Sequence, residues 1–250
     1  MRRKWTVILA ASVLLGAAGI AKAQPAGTAG RAARWQASFE AFAELDRAQP
    51  PQRGGVLFVG SSSIRLWEGL ESAFDAQPPV IKRGFGGSRL ADCAAFVDRL
   101  VLPYRPRLIV VYAGDNDLAE GAAPAEVLAS FKAFVESVRE ALPEARIAYL
   151  SIKPSPLRAA LMAQVREANA LIADYVRSGD NLDYIDIFSR MLDAHGLPRT
   201  ELFGTDALHL NADGYALWRS VIAEHLGVPP PGVPNPGDPL ARPTQSAAAH

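Results

Sequence analysis

Apolar residues along this chain fall into two alternating patterns. Short, nearly continuous runs occupy 56–59, 80–81, Leu108–Tyr112 ("LIVVY"), 147–152 and 182–187. Runs of this length without polar alternation suit strands buried on both faces, as in a parallel sheet. Between them lie longer stretches with helical spacing at 31–48, 63–70, 89–102, 124–142, 156–178 and 212–226. Pro124 falls at the first turn of one, and prolines lead into 156–178, where a fixed φ suits a helix start. The order predicts β-α repeated five times. Right-handed crossovers then give an α/β fold, a three-layer α/β/α sandwich around a mostly parallel five-stranded sheet.

Both ends depart from this pattern. The chain opens "MRRKWTVILAASVLLGAAGIAKA", with Arg2, Arg3 and Lys4 ahead of an apolar run and a small-x-small site at Ala21-Lys22-Ala23. That is the form of a secretory signal peptide over residues 1–23. Its apolar run of ~16 residues is shorter than the roughly 20 needed to span a bilayer, which favours cleavage over a retained anchor and predicts an exported, periplasmic or secreted protein. From Val228, "VPPPGVPNPGDPLARPTQSAAAH" is too rich in proline and small residues to bury a core, so 228–250 reads as a disordered tail. The folded domain is expected over roughly 31–227.

Composition narrows the classes. Basic and acidic residues balance at 26 each, and the leader holds four of the basic ones (Arg2, Arg3, Lys4, Lys22) and no acid. The cleaved chain is therefore mildly acidic, with no electrostatic case for binding nucleic acid. Cys93 is the only cysteine, so no internal disulfide is available. It lies on an apolar helical face, as a small buried hydrophobe would.

In parallel α/β sheets ligands bind outside the carboxyl ends of the strands, so the segment after each strand is where chemistry is sought. Gly60-Ser61-Ser62-Ser63 follows the first, Arg83-Gly84-Phe85-Gly86-Gly87-Ser88 the second, and Ala113-Gly114-Asp115-Asn116-Asp117 the third. Beyond the fifth comes "FGTDALHLNADGY", with Asp206 and His209. Each has a plain structural reading: serines cap helices, glycines turn, and Asp-Asn-Asp is a turn or cap. Ser63 in particular suits a helix cap. Together they form the parts list for acyl transfer: a nucleophile, a base, a group orienting the base, and oxyanion donors. Asp206 and His209, three apart, can converge on one face of a turn. The glycine segment is no dinucleotide fingerprint, since Arg89 stands where the third glycine belongs. His195, His225 and His250 show no metal-ligand spacing, and "HLNADG" lacks the glutamate that ends a calcium loop. No metal or cofactor is implied. Trp67, Arg83, Phe85 and Arg89 lie close enough to these segments to line a pocket, although tryptophan and phenylalanine are at least as often core and arginines at least as often solvated.

These blocks, in order, resemble the SGNH (GDSL-type) hydrolase family over roughly 56–226. Gly60-Ser61-Ser62 is similar to its Gly-Asp-Ser block, "RGFGGS" to its glycine block, Gly114-Asp115-Asn116-Asp117 to Gly-x-Asn-Asp, and Asp206-Ala207-Leu208-His209 to Asp-x-x-His. The resemblance implies Ser62 as nucleophile, His209 as general base and Asp206 as its orienting carboxylate. It implies an oxyanion hole from the backbone N–H groups of Ser62 and Gly87 and the side chain of Asn116. Ser61 departs from the family's aspartate, and Lys82 stands where the family often has asparagine. The form of the blocks is most similar to platelet-activating-factor acetylhydrolase-like esterases and bacterial carbohydrate esterases. The expected activity is hydrolysis of short-chain or acetyl carboxylic esters, with a small-molecule or glycan ester as partner. A thioesterase or lysophospholipase with the same residues, and a non-catalytic envelope carbohydrate-binding protein on the same fold, are the alternatives.

Overall fold

A computed structural model describes residues 26–74 and 80–226; the leader expected at 1–23 and the tail expected at 228–250 lie outside the described residues. In chain order the elements are α1 (Ala26–Ala48), β1 (Val56–Gly60), α2 (Ser62–Arg65), β2 (Ile81–Gly84), α3 (Leu90–Ala95), α4 (Val97–Leu100), β3 (Leu108–Tyr112), α5 (Asp115–Ala119), α6 (Pro124–Arg139), β4 (Arg146–Leu150), α7 (Met162–Arg177), β5 (Leu182–Ile185) and α8 (Ala212–Leu226). The five strands are all parallel, in the order β2-β1-β3-β4-β5.

The period of two along each strand divides the core into two layers. Leu57, Val59, Ile109, Val111, Ile147 and Tyr149 face one side, where Trp35 and Phe39 of α1 and Phe131 and Phe134 of α6 cover them. Val56, Phe58, Val110, Tyr112, Ala148 and Leu150 face the other, against Trp67, Leu70 and Trp218 of α8. With apolar side chains needed on both faces, the strands read as continuous apolar runs. Cys93 is fully buried in the first layer, where burial pushes its thiol well above the ordinary range and leaves it unreactive.

Several boundaries differ from the sequence expectation for local reasons. The helix expected at 63–70 is a single turn, Ser62–Arg65, followed by a 3₁₀ turn at Leu70–Ser72. The chain turns through Gly69 (φ 67), and both Trp67 and Leu70 enter the core. The helix expected at 89–102 breaks at Phe96 (φ −120, ψ 25), whose ring packs 5.0 Å from that of Phe39. The opening helix begins at Ala26 rather than 31, β2 runs on to Gly84, β4 and β5 end two residues early, and α5 was not expected as a helix.

The chain leaves β1 toward β2 on one side and returns across β1 to form β3 on the other. This reversal opens a crevice at the carboxyl ends of β1 and β3, the switch point where α/β sheets bind ligands. Gly60 makes the crossing there tight. Its φ is 149, and a Cβ at this position would lie 1.9 Å from the Tyr112 carbonyl oxygen. That oxygen accepts the Ser61 N–H at 3.0 Å. Gly60→Ala must separate β1 from β3 and is expected to cost on the order of 3 kcal/mol or more. A urea unfolding curve checks this; a midpoint within error of wild type would refute the close-approach argument.

Candidate active site

Three serines follow β1, and the backbone register gives them different surroundings. Ser61 and Ser63 are fully buried, while Ser62 is half-buried at the cleft. The N-cap position of α2 is Ser61, and its hydroxyl makes no capping bond; Ser63 lies within the turn. The expectation that Ser63 caps this helix is therefore corrected. Tyr215 of α8 holds the turn by donating to the Ser63 carbonyl at 2.9 Å.

His209 reaches this turn from a loop 147 residues away. Its Nε2 lies 3.0 Å from Ser62 Oγ, and its Nδ1 lies 2.6 Å from Asp206 Oδ2. The loop is shaped for this contact. The bridge between Phe203 and Leu210 closes it, and Gly204 N–H donates to the His209 carbonyl at 2.8 Å. Asp206 Oδ1 accepts the backbone N–H groups of Leu208 (3.0 Å) and His209 (2.9 Å). These two N–H donors, and then the imidazole, lower the Asp206 carboxyl to about 2. A carboxylate so held fixes one ring nitrogen of the histidine and leaves the other free to take a hydroxyl proton.

The glycine segment runs beside the turn. Phe85 N–H donates to the Gly60 carbonyl at 2.9 Å, and Gly87, past the end of β2, adopts φ 75, a left-handed conformation that suits glycine. The segment after β3 is stitched to it twice. Asn116 Nδ2 donates to the Ser88 carbonyl at 3.0 Å, and the Asp117 carboxylate accepts Leu90 N–H at 2.9 Å. Burial raises Asp117 to about 6, against those backbone donors. One Asn116 amide hydrogen is used by Ser88, which leaves the second for the cleft. Ser62, Gly87, Asn116 and His209 all line one cleft of about 540 Å³. Among the described residues no group of three or more His, Cys, Asp or Glu is gathered so as to hold a metal ion.

Residues 54–217 match the model of the GDSL-like lipase/acylhydrolase family. The chain belongs to that family. It is similar to human platelet-activating factor acetylhydrolase IB subunit alpha1, 25% identical over 191 residues that cover 73% of this chain and 78% of the relative. Among solved structures it resembles a GDSL-like lipase from Bacteroides thetaiotaomicron (18% identity, TM-score 0.61, covering 76% of this chain and 97% of that one). It also resembles a family 3 carbohydrate esterase from Talaromyces cellulolyticus (19% identity, TM-score 0.53, 68% and 95%). The five-stranded parallel sheet between helical layers agrees with these likenesses. No helix among the described residues of this GDSL-like hydrolase is long and apolar enough to cross a membrane.

Four residues of the GDSL-like chain that the sequence left open as pocket residues lie elsewhere. None of Trp67, Phe85, Arg83 and Arg89 lines the cleft with Ser62. Trp67 and Phe85 are core side chains. Arg83 is buried against Asp46 and donates to the Tyr104 hydroxyl at 2.6 Å. Arg89 is engaged with Asp92 (3.3 Å) and Glu120 (3.5 Å). Ser61, where the family has aspartate, points a partnerless hydroxyl into the protein. Nothing in the structure explains the substitution.

Sequence reasoning missed a buried network behind Asn116. Lys153 Nζ lies 2.8 Å from Asp115 Oδ2 and 3.0 Å from the Tyr112 hydroxyl. Arg158 Nη1 lies 3.1 Å from the same Asp115 oxygen, and its Nη2 donates to Asn116 Oδ1 at 2.8 Å. Burial pushes Asp115 up, but the two cations outweigh it and hold its carboxyl below the ordinary range. The guanidinium on Oδ1 and the Ser88 carbonyl on Nδ2 together allow only one orientation of the Asn116 amide. Lys153 and Arg158 sit in "SIKPSPLR" after β4, which carries no pattern that announces this role. Arg34 and Trp35 of α1 and Arg65 of α2 also line the cleft, and no motif marks them.

Proposed function

We propose that this GDSL-like hydrolase is an exported serine esterase acting on short-chain or acetyl carboxylic esters. The observation that carries the reading is the line of contacts from Ser62 through His209 to Asp206, 3.0 and 2.6 Å long, opening on a cleft that Gly87 and Asn116 share. In this reading Ser62 Oγ attacks the ester carbonyl as His209 Nε2 takes its proton. The backbone N–H groups of Ser62 and Gly87 and the free amide hydrogen of Asn116 hold the oxyanion. His209 then protonates the departing alcohol, and a water it activates releases the acid. The acetyl preference draws on the acetylhydrolase and carbohydrate esterase among the similar proteins. Export rests on the leader sequence alone.

A panel of p-nitrophenyl esters from acetate to decanoate and of O-acetylated glycans tests the reading on the cleaved chain. Turnover highest at acetate and falling steeply with chain length supports it. No hydrolysis of any member defeats it. Asn116→Ala is expected to lower kcat ~100- to 1,000-fold with little change in KM, because the amide acts on charge that develops only in the transition state. Steady-state kinetics on p-nitrophenyl acetate check this.

A further inference from the structure

Two guanidinium groups stand over the glycine segment in the cleft that holds Ser62. Arg65, the last residue of α2, lies along Gly86: a Cβ there would come within 2.8 Å of its Nε. Arg34, on α1, lies along Gly87: a Cβ there would sit 3.4 Å from its Nη2. The Arg34 guanidinium carbon is 4.5 Å from the centroid of the Trp35 ring, and that ring also reaches Gly87. The ring face attracts the cation while leaving its N–H groups available.

Neither guanidinium has a carboxylate or hydrogen-bond partner among the described residues, whereas those of Arg83, Arg89, Arg146 and Arg158 each pair with an acid. The acid nearest in function, Asp206, does not line the cleft and is occupied by His209 and two backbone N–H groups. The cleft therefore presents two cations beside the groups proposed to hold the oxyanion, with no acid among the described residues lining it to balance them. Walls carrying one sign of charge focus a field that favours an anionic ligand, and the arginine fork matches a carboxylate in shape as well as charge.

We propose that Arg34 and Arg65 bind a carboxylate on the substrate, so that the cleft selects esters bearing a negative charge a short distance from the ester carbonyl. The inference rests on the esterase reading above and adds the substrate class.

Matched ester pairs in which the carboxylate is replaced by a neutral amide test it. Monoethyl succinate against ethyl succinamate puts the carboxylate on the acyl side. O-acetyl-lactate against O-acetyl-lactamide puts it on the alcohol side. With kcat/KM followed by acid release, the wild-type chain is expected to favour the charged member of at least one pair by about tenfold or more, the scale of a charged hydrogen bond. That ratio should fall as salt is added. The double substitution Arg34→Gln, Arg65→Gln should remove it, and Arg34→Glu, Arg65→Glu should reverse it. Preference for the neutral member in both pairs, or an unchanged ratio in the double variants, overturns the inference while leaving the esterase reading intact. No hydrolysis of these esters or of p-nitrophenyl acetate, with no labelling of Ser62 by a fluorophosphonate, overturns both.

Discussion

Ser62→Ala is expected to lower hydrolysis of p-nitrophenyl acetate by ~10⁴-fold or more, into the range left by binding and oxyanion contacts alone. Fluorophosphonate labelling should disappear with it. Ser61→Ala and Ser63→Ala are expected to retain most of the activity, because both hydroxyls are fully buried and only Ser62 Oγ meets His209 Nε2. The three variants sit in consecutive positions of one short turn, so they share any general effect of disturbing it. Full activity in Ser62→Ala, or comparable losses in all three, would remove Ser62 from the role of nucleophile.

Asp206→Asn carries the second large effect, a loss of ~10³- to 10⁴-fold in kcat with folding intact. An amide at this position no longer requires His209 to hold its proton on Nδ1, and the charge that steadies the imidazolium is gone. Asp206 is half exposed and makes its contacts within its own loop, so the variant should unfold near the wild-type midpoint. The pH profile follows from the same geometry. With its carboxyl lowered to about 2, Asp206 is ionised at every pH at which the protein can be assayed. Asp206 therefore contributes no inflection near the usual carboxylate range. An acid limb near pH 4 that vanishes in Asp206→Asn would contradict this assignment.

The order of elements and the four loop blocks were legible because they depend on local constraints. A strand covered on both faces must be apolar throughout, and Leu108–Tyr112 shows this plainly. Asp206 and His209 stand three residues apart, so the turn alone brings them together. Element ends were less legible. The helix beginning at Leu90 breaks at Phe96, whose ring packs on that of Phe39, far away in sequence. The places of Arg83 and Arg89 were not legible for the same reason: Asp46, Tyr104 and Glu120, which they meet, are distant along the chain.

By itself the amino-acid sequence determined the alternation of strands and helices, the glycine and polar segments at the strand ends, and the family these segments resemble. Periodicity and short-range spacing are properties of consecutive residues and need no partner. Only the tertiary structure decided which of three adjacent serines faces the histidine, since one residue of register turns a hydroxyl from the core to the cleft. It also decided that Arg158 and Ser88 orient Asn116, and that Arg34 comes from the first helix to stand over Gly87. These contacts join residues separated by tens of positions, and no local pattern encodes where such residues meet.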